Sequence, residues 1–521
     1  MNLKTALGPR KTRNQSVFLL TLPITFLFSC FSWLSWTPDF STMNTRRLNP
    51  LAIALLVWLA GCTPTRVSDP LRLASPKDWR HAPDAQVAAT ADLKAWWRGY
   101  RDPLLNELIT QALASNHDLS IAKARVREAN AMLTVAESAL YPSIDIFSSG
   151  GREKRIDRII GVPDKQGIAL ITPTADAISG GLAARWEIDL FGGRRLEAEA
   201  AAAQSEGGKA ALHAAQVGLL AQVATHYLEL RGLQQRIGIL RADIDVQRER
   251  LRALQTFYHA GLAREADIAR QETLLHGTEA ALPPLITAET RLIHRLGVLL
   301  GGPPGSLEKR LSRAERLPLD SPGIPRLVPS SLLAQRPDLR LAQTEVSKAA
   351  AGLGAARADL FPKLVLSASG GFGALAVAGF SGLSEGVYAL GSGLTAPIFN
   401  AGRIRSQITA ADARLAQVAA NYEKTFLLAL EDVENAYVAH ASSQEQRKRL
   451  SEAETAAEKA YRLAGALYQR GAGDYLSVLD AQRNQLAVAD ELAKTETAIR
   501  VAVVSLYRAF GGGWATRSSV Q

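Results

Sequence analysis

The sequence predicts a mainly α-helical fold with a small β part, built by internal duplication. Three observations predict it. Two stretches, from about Gly192 to Tyr258 and from about Gly402 to Tyr468, run for more than sixty residues without a proline. Motifs recur at a fixed offset between the two halves. Short segments of period two sit in front of each long stretch.

Each long stretch follows an Arg-containing turn, Phe191-Gly-Gly-Arg194 or Phe399-Asn-Ala-Gly-Arg403. Each ends at a Gly turn, Tyr258-His-Ala-Gly261 or Tyr468-Gln-Arg-Gly471, and a second helix returns. At 1.5 Å per residue a long helix reaches about 100 Å. That exceeds an ordinary globular helix and requires a bundle, coiled coil or solenoid.

The repeat is read directly. Asn116-His-Asp-Leu-Ser-Ile-Ala122 leads through Val126, Ala129, Leu133 and Ala136 to Leu140-Tyr-Pro142. Arg336-Pro-Asp-Leu-Arg-Leu-Ala342 leads through Val346, Ala349, Leu353 and Ala356 to Leu360-Phe-Pro362, at a constant offset of 220. Further on, Tyr258 and Gly261 match Tyr468 and Gly471, and Leu296 and Gly301 match Leu506 and Gly511, at offset 210. Spacings of three and four mark helices, and the prolines end them. Each half reads helix, proline, extended region, long helix, Gly turn, helix.

After each proline the period becomes two. Leu182, Ala184, Trp186, Ile188 and Leu190 alternate with Ala183, Arg185, Glu187 and Asp189. Ile144 and Ile146 flank Asp145, Leu364, Leu366 and Ala368 alternate with Val365, Ser367 and Ser369, and Tyr388, Leu390 and Leu394 share one parity. This predicts two strands per half, the first pair joined by a polar loop (Gly151–Thr174), the second by a Gly-rich loop (Ala374–Gly386). Apolar residues on one face and polar or small ones on the other suit a membrane barrel strand. Beyond the amino-terminal region no apolar run reaches 18 residues, so no spanning helix is expected. Four strands cannot close a transmembrane barrel, and an open edge in lipid leaves backbone groups unsatisfied. If the strands span a membrane, several chains share one barrel.

At the amino terminus, Arg46-Arg47 precedes the apolar run Leu51–Ala60, then Gly61 and Cys62. This is the layout of an export signal. Leu59-Ala60-Gly61-Cys62 resembles the lipobox of bacterial lipoproteins. That resemblance implies cleavage before Cys62, a diacylglycerol on its thiol and an acyl chain on the new amine, which together anchor stably. Thr63, not Asp, follows the Cys, and the same resemblance implies the outer membrane. Val17 to Trp36 is a second apolar run long enough to span a bilayer. Two tandem export signals serve no purpose, so translation is expected to start at Met43.

The formal charge is +10 over 521 residues. Removing residues 1–61 leaves 54 basic and 49 acidic residues, and bases alternate with acids, as in Arg248-Glu249-Arg250. That pattern reads as solvated helix faces and excludes a nucleic-acid patch. Cys30 and Cys62 are the only cysteines, so the body holds no internal disulfide and no cysteine metal site. The eight His show no metal spacing, and Gly370-Gly-Phe-Gly373 opens no nucleotide-binding turn. The acids Glu431, Asp432 and Glu434 share a helix and read as solvated or paired. No cofactor and no enzyme activity are expected.

The chain resembles the outer-membrane efflux channel family, the TolC-like proteins, and within it the lipoprotein branch serving RND-type pumps. The resemblance rests on Trp96-Trp97, Asp102-Pro-Leu104, Asn116-His-Asp-Leu119, Tyr141-Pro142, Trp186-Glu-Ile-Asp-Leu-Phe-Gly192, Gln335-Arg-Pro-Asp-Leu339, Pro397-Ile-Phe-Asn-Ala-Gly-Arg403 and Tyr475-Leu-Ser-Val-Leu-Asp-Ala-Gln482. It spans roughly residues 62–515 and includes the duplication. It implies a homotrimer whose chains each give four strands to a 12-stranded transmembrane β-barrel, above a periplasmic α-barrel of long helical hairpins. It also implies a passive exit duct for drugs or other small toxic compounds, working with a periplasmic adaptor and an inner-membrane RND pump.

Under that resemblance the domains are a start-site extension (1–42), a lipoprotein signal peptide (43–61), a first repeat (62–300), an equatorial linker (301–335), a second repeat (336–515) and a tail (516–521). Strands are expected at about 142–150, 176–190, 363–373 and 387–398, and long hairpins at 192–299 and 402–510. Gly261, Gly471 and Tyr475 are expected at adaptor-facing tips. Asp474 and Asp480 are candidates for a ring that closes the pore, and Asp474 is equally placed to cap the returning helix. In the second tip loop the acid stands one residue later than is usual for this branch. Type I protein secretion and metal-ion efflux are the alternatives within the family. A lipid-anchored coiled-coil scaffold without a pore is the alternative from another class.

Overall fold

The chain falls into two units, Met1–Cys62 and Thr63–Gln521. The computed structural model describes residues 75–82, 93–154, 174–325, 327–377 and 380–514. The signal peptide, the lipobox with Cys62 and the upstream apolar run lie outside the described residues.

In the first half, α1 (Pro103–Ser115) and α2 (His117–Ser138) lead to strands β1 (Ser143–Lys154) and β2 (Thr174–Ile188). The long helix α3 (Gly193–His259) and the returning α4 (Glu265–Leu299) follow. In the second half, α5 (Pro337–Ala358) leads to β3 (Lys363–Val377) and β4 (Phe380–Thr395), then α6 (Arg403–Gln469) and α7 (Tyr475–Ala509). The duplication is metrical: α2 and α5 have 22 residues each, α3 and α6 have 67, α4 and α7 have 35.

Both halves use the same joint. Asn116 caps α2 by accepting from the Leu119 amide, while its Nδ2 donates to the Leu299 carbonyl at the end of α4. The counterpart Arg336 donates from Nη1 to the Ala509 carbonyl at the end of α7 and forks onto Asp338 and Asp432. Different side chains thus satisfy the same orphan carbonyls of a returning helix.

The strands form one antiparallel sheet in the order β1-β2-β3-β4, so the two halves meet at the β2–β3 pair. β1 and β4 are its edges. The strands run further than expected from sequence. The stretch expected as a Gly-rich loop at 374–386 is almost wholly strand, with a bulge between Ala374 and Ala376. Small residues weaken a strand's sequence signature, yet their backbones complete the ladder. Residues 151–154 of the expected first loop also belong to β1. At the other end β4 stops at Thr395, because Pro397 has no N–H to give.

The core lies midway along the long helices. There Trp96 stacks on Tyr507 at 5.2 Å, among buried Leu105, Leu108, Leu220 and Tyr227. The linker is lashed to this core through its carbonyls. Tyr507 donates to Gly323, Tyr437 to Pro325 and Arg500 to Pro318. Fully buried Arg231 donates to the Arg313 carbonyl and pairs with Glu315 at 3.0 Å. The segment around Trp79 joins from the amino-terminal side, packing on Tyr437 and Phe510.

Candidate functional site

Two places carry the chemistry of a conduit: the sheet and the hairpin tips. The antiparallel registers keep all even-numbered strand residues on one face, up to the bulge. That face exposes Ile144, Ile146, Ile178, Leu182, Phe372, Tyr388, Leu390 and Leu394. The odd face carries Asp145, Arg185, Glu187, Ser367, Ser369 and glycines, with Phe147 and Val387 as its exposed large apolar residues. Along β2, Ile178 to Ile188 spans about 34 Å at 3.4 Å per residue. A strand tilt of about 40° reduces this to about 26 Å, the height of the apolar band of an outer-membrane barrel. Among the described residues no helix is long and apolar enough to cross a membrane. The sheet is one-sided in the sense a membrane barrel requires, and both its edges await a partner.

The strands are closest where the two halves meet. A Cβ on Gly181 would lie 2.4 Å from the Gly370 carbonyl oxygen and 2.6 Å from the Gly371 Cα. The reciprocal contacts of Gly371 are as tight, so this pair admits no side chain.

At the tips, Gly261 and Gly471 adopt φ of +73° and +68°, the left-handed turn that glycine takes without strain. The Leu262 amide donates to Phe257 at 2.8 Å and Ala472 to Leu467 at 2.9 Å, closing both helix ends alike. The next helix starts differently in each. Asp474 caps α7 by accepting from the Ser477 amide at 2.7 Å. Its counterpart Arg264 instead pairs with buried Asp267, which also binds Arg270. The Ser477 hydrogen bonds, with Arg270 and Arg264 nearby, hold the Asp474 carboxyl below its ordinary range. Asp480 is exposed on α7 and has no ion pair or hydrogen bond among the described residues.

Tyr475, expected at the partner-facing tip, is instead buried, 2% exposed. As the first residue of α7 it points back into the bundle. Its hydroxyl donates to Gln271 Oε1 at 2.5 Å and its ring packs on Tyr468. The exposed apolar residues of the tips are Phe257, Tyr258, Leu262, Leu467 and Leu476.

A polar network beside Tyr475 ties the two hairpins together. Arg250 on α3 donates to Gln482 on α7 at 3.1 Å and to the Tyr461 hydroxyl on α6 at 2.6 Å. Gln482 in turn donates to Asp243 at 2.8 Å. The sequence placed Arg250 on a solvated face. Arg248 and Glu249 of that run fit the expectation, both exposed, with Arg248 paired to Glu279 at 2.7 Å. No signal in the local sequence distinguishes the two arginines, because the partners of Arg250 lie more than 200 positions away. Among the described residues no group of three His, Cys, Asp or Glu could hold a metal ion.

The family model for outer membrane efflux proteins matches residues 108–302 and 328–512, which are the two structural halves. The chain belongs to the outer membrane efflux protein family. It is 32% identical over 475 residues to the pyoverdine export outer membrane protein OpmQ of Pseudomonas aeruginosa, covering 91% of this chain and 98% of that one. It is 29% identical over 437 residues to the solvent efflux pump outer membrane protein SrpC of Pseudomonas putida, covering 83% and 90%. Among solved structures, the outer-membrane channel OprN superposes with a TM-score of 0.77 at 31% identity, over 86% of this chain and all of that one. The protein is therefore an outer-membrane efflux channel protein with the TolC-like fold. Membership decides against the poreless scaffold.

Proposed function

We propose that three copies of this chain share a 12-stranded barrel and form the passive exit duct of a tripartite efflux pump. The observation that carries the reading is the one-sided four-stranded sheet with two open edges, joined to 67-residue helices about 100 Å long. One chain cannot satisfy its edge strands in lipid, whereas a ring of copies can. Energy comes from an inner-membrane pump of the RND type, reached through a periplasmic adaptor. The tips at Gly261 and Gly471, with exposed Leu262, Phe257 and Leu467, suit protein docking. Relatives named for pyoverdine and solvent export support a small-molecule cargo.

The lipobox supports anchoring through a diacylglycerol and an acyl chain on Cys62. At the tip, three copies of Asp480 near one axis form a ring that attracts cations and closes the pore, with Asp474 holding the start of α7 in place. The experiment is single-channel conductance of the purified mature protein in planar bilayers, with its mass in detergent from the same preparation. A trimer with discrete conductance steps is expected. A monomer without conductance overturns the reading.

A further inference from the structure

Resting on the conduit reading above, we infer that a recess between α3, α5 and α6, just below the sheet, is a resting site for cargo. It takes small organic anions with an apolar ring body, held by Arg414 over a floor opened by Gly352.

Three features carry the inference. The first is the place of the recess. It encloses about 680 Å³, with α5 as its floor and α3 and α6 as its sides. That is the size of a site for a drug-sized molecule. Glu187 and Lys363 stand on the odd strand face, which the shared barrel turns inward. Arg194 joins Glu187 to Glu197, with both contacts at 2.9 Å. Lys363 pairs with Asp359 at 2.8 Å. Glu197 and Asp359 both line the recess, so it opens on the same side as the inner strand face.

The second feature is the floor. Ala349, Gly352 and Ala356 stand at spacings of three and four, on one side of α5. Glycine in a helix interior costs stability and needs a reason. Gly354 has one, since a Cβ there would lie 2.9 Å from a Leu196 methyl. Gly352 has no such neighbour, and a Cβ there meets nothing within 4 Å. A side chain at this position would stand in the recess instead. In α2, 220 positions back, Met132 occupies the place of Gly352 and Val135 that of Ala355. At these two positions the second half is cut back where the first is filled.

The third is charge. The acids that line the recess are neutralised within the chain, Glu197 by Arg194, Asp359 by Lys363 and Glu345 by Lys348 at 3.4 Å. Lys348 is further occupied by Gln204. Arg414 on α6 is left over. It is exposed and has no ion pair or hydrogen bond among the described residues. Its counterpart on α3, 210 positions back, is the neutral Gln204. A free guanidinium offers a fork of donors to a carboxylate or sulfonate. Beside it Ala410 and Val418 present apolar surface to a ring. A cation entering the recess meets carboxylates that are already paired.

The recess lies within one chain, so binding can be measured whatever the oligomeric state. The test is equilibrium dialysis of 1-naphthalenesulfonate against the full-length lipidated protein in a nonionic detergent. Saturable binding of one probe per chain is expected, about tenfold tighter than that of 1-naphthylmethylammonium. Gly352→Leu, which fills the recess, should weaken it by about tenfold and Arg414→Gln by about fivefold. Arg405→Gln, on the same helix but outside the lining, should leave it unchanged. Circular dichroism establishes that each variant is folded, and Gly352→Ala, with a side chain too short to fill the space, should bind nearly as the wild type. Binding that is absent, that survives Gly352→Leu, or that fails to distinguish anion from cation overturns the site. Conductance in planar bilayers reads the duct separately. A conducting trimer that binds no probe overturns the resting site and leaves the duct standing. A poreless monomer that binds the probe overturns the duct, and with it the cargo role.

Discussion

Replacing Arg250 by Ala should loosen the hairpin tips. Arg250 is the one side chain that bonds both α6 and α7 from α3 in the tip network, through Tyr461 and Gln482. A hydrogen bond from a charged donor contributes about 1.5–3 kcal/mol. Arg250 is half-buried, so the lower end applies, and two such bonds give about 3 kcal/mol. The loss also strands Gln482 Oε1 in a residue only 2% exposed. If closing the tip requires these bonds, the closed-to-open ratio falls by about a hundredfold, at 1.4 kcal/mol per factor of ten. The assay is single-channel conductance in planar bilayers, with mass in detergent and far-ultraviolet circular dichroism to establish an intact assembly. Higher open probability is expected for Arg250→Ala, and none for Arg248→Ala, whose pair with Glu279 is exposed. Tyr461→Phe should give part of the effect. An Arg250→Ala assembly that is intact, lower in melting temperature and unchanged in open probability would overturn a role of this network in closing the tip. It would assign the network to stability alone.

Three further outcomes are expected. Gly181→Ala should block assembly of the heat-modifiable barrel, because its Cβ meets backbone at 2.4 Å, whereas Gly180→Ala, with 3.4 Å to the nearest atom, should assemble normally on gels. Leu182→Arg, on the apolar face, should cost about 2–4 kcal/mol of insertion free energy, while Ala183→Arg, on the opposite face, should insert and shift the channel towards anions in reversal-potential measurements. The third outcome concerns pH. Burial raises the Asp490 carboxyl, but hydrogen bonds from Arg236 and Lys494 outweigh it and leave the group below its ordinary range. A depressed carboxyl contributes stability above its unfolded pKa near 4 and loses it as pH falls further. Thermal melts at pH 3 and pH 7 should therefore differ more for the wild type than for Asp490→Asn.

The sequence carried the parts of this structure that repeat. Helix periods, the two terminating prolines and the paired tip glycines fixed the element order, since each is a local requirement of the backbone. Strand parity was legible where large apolar residues alternate with polar or small ones, as at Ile144 and Ile146 and from Leu182 to Ile188. Strand length was not: between Ala374 and Gly386 small residues hide the alternation while the ladder continues. Nor was the burial of Tyr475 or the role of Arg250 legible, since both depend on helices brought together across long stretches of chain. The same limit applies to Asp474. Its capping role followed from its place before a helix, but its proximity to Arg264 and Arg270 is a product of the fold.

Where the halves differ points to where they act differently. The shared joint at Asn116 and Arg336 and the equal helix lengths fix two near-equivalent units in each chain. Near-equivalent units favour near-equivalent contacts all round a ring, which suits a wall. A gate needs the opposite, elements that can move at unequal cost. The inequality lies in the returning helices. α4 carries Pro283 and Pro284 in its interior, where α7 has buried Ala493 and exposed Lys494. Two prolines remove the donors that would bond the carbonyls of Glu279 and Ala280, so α4 bends at lower cost. Meanwhile α7 begins at a capped Asp474, and Lys494 is held by Asp490 and Glu491. On this argument the first hairpin is the more compliant and the second the stiffer. The Arg250 network ties the two together. Cutting it should release a motion that the prolines already make easy.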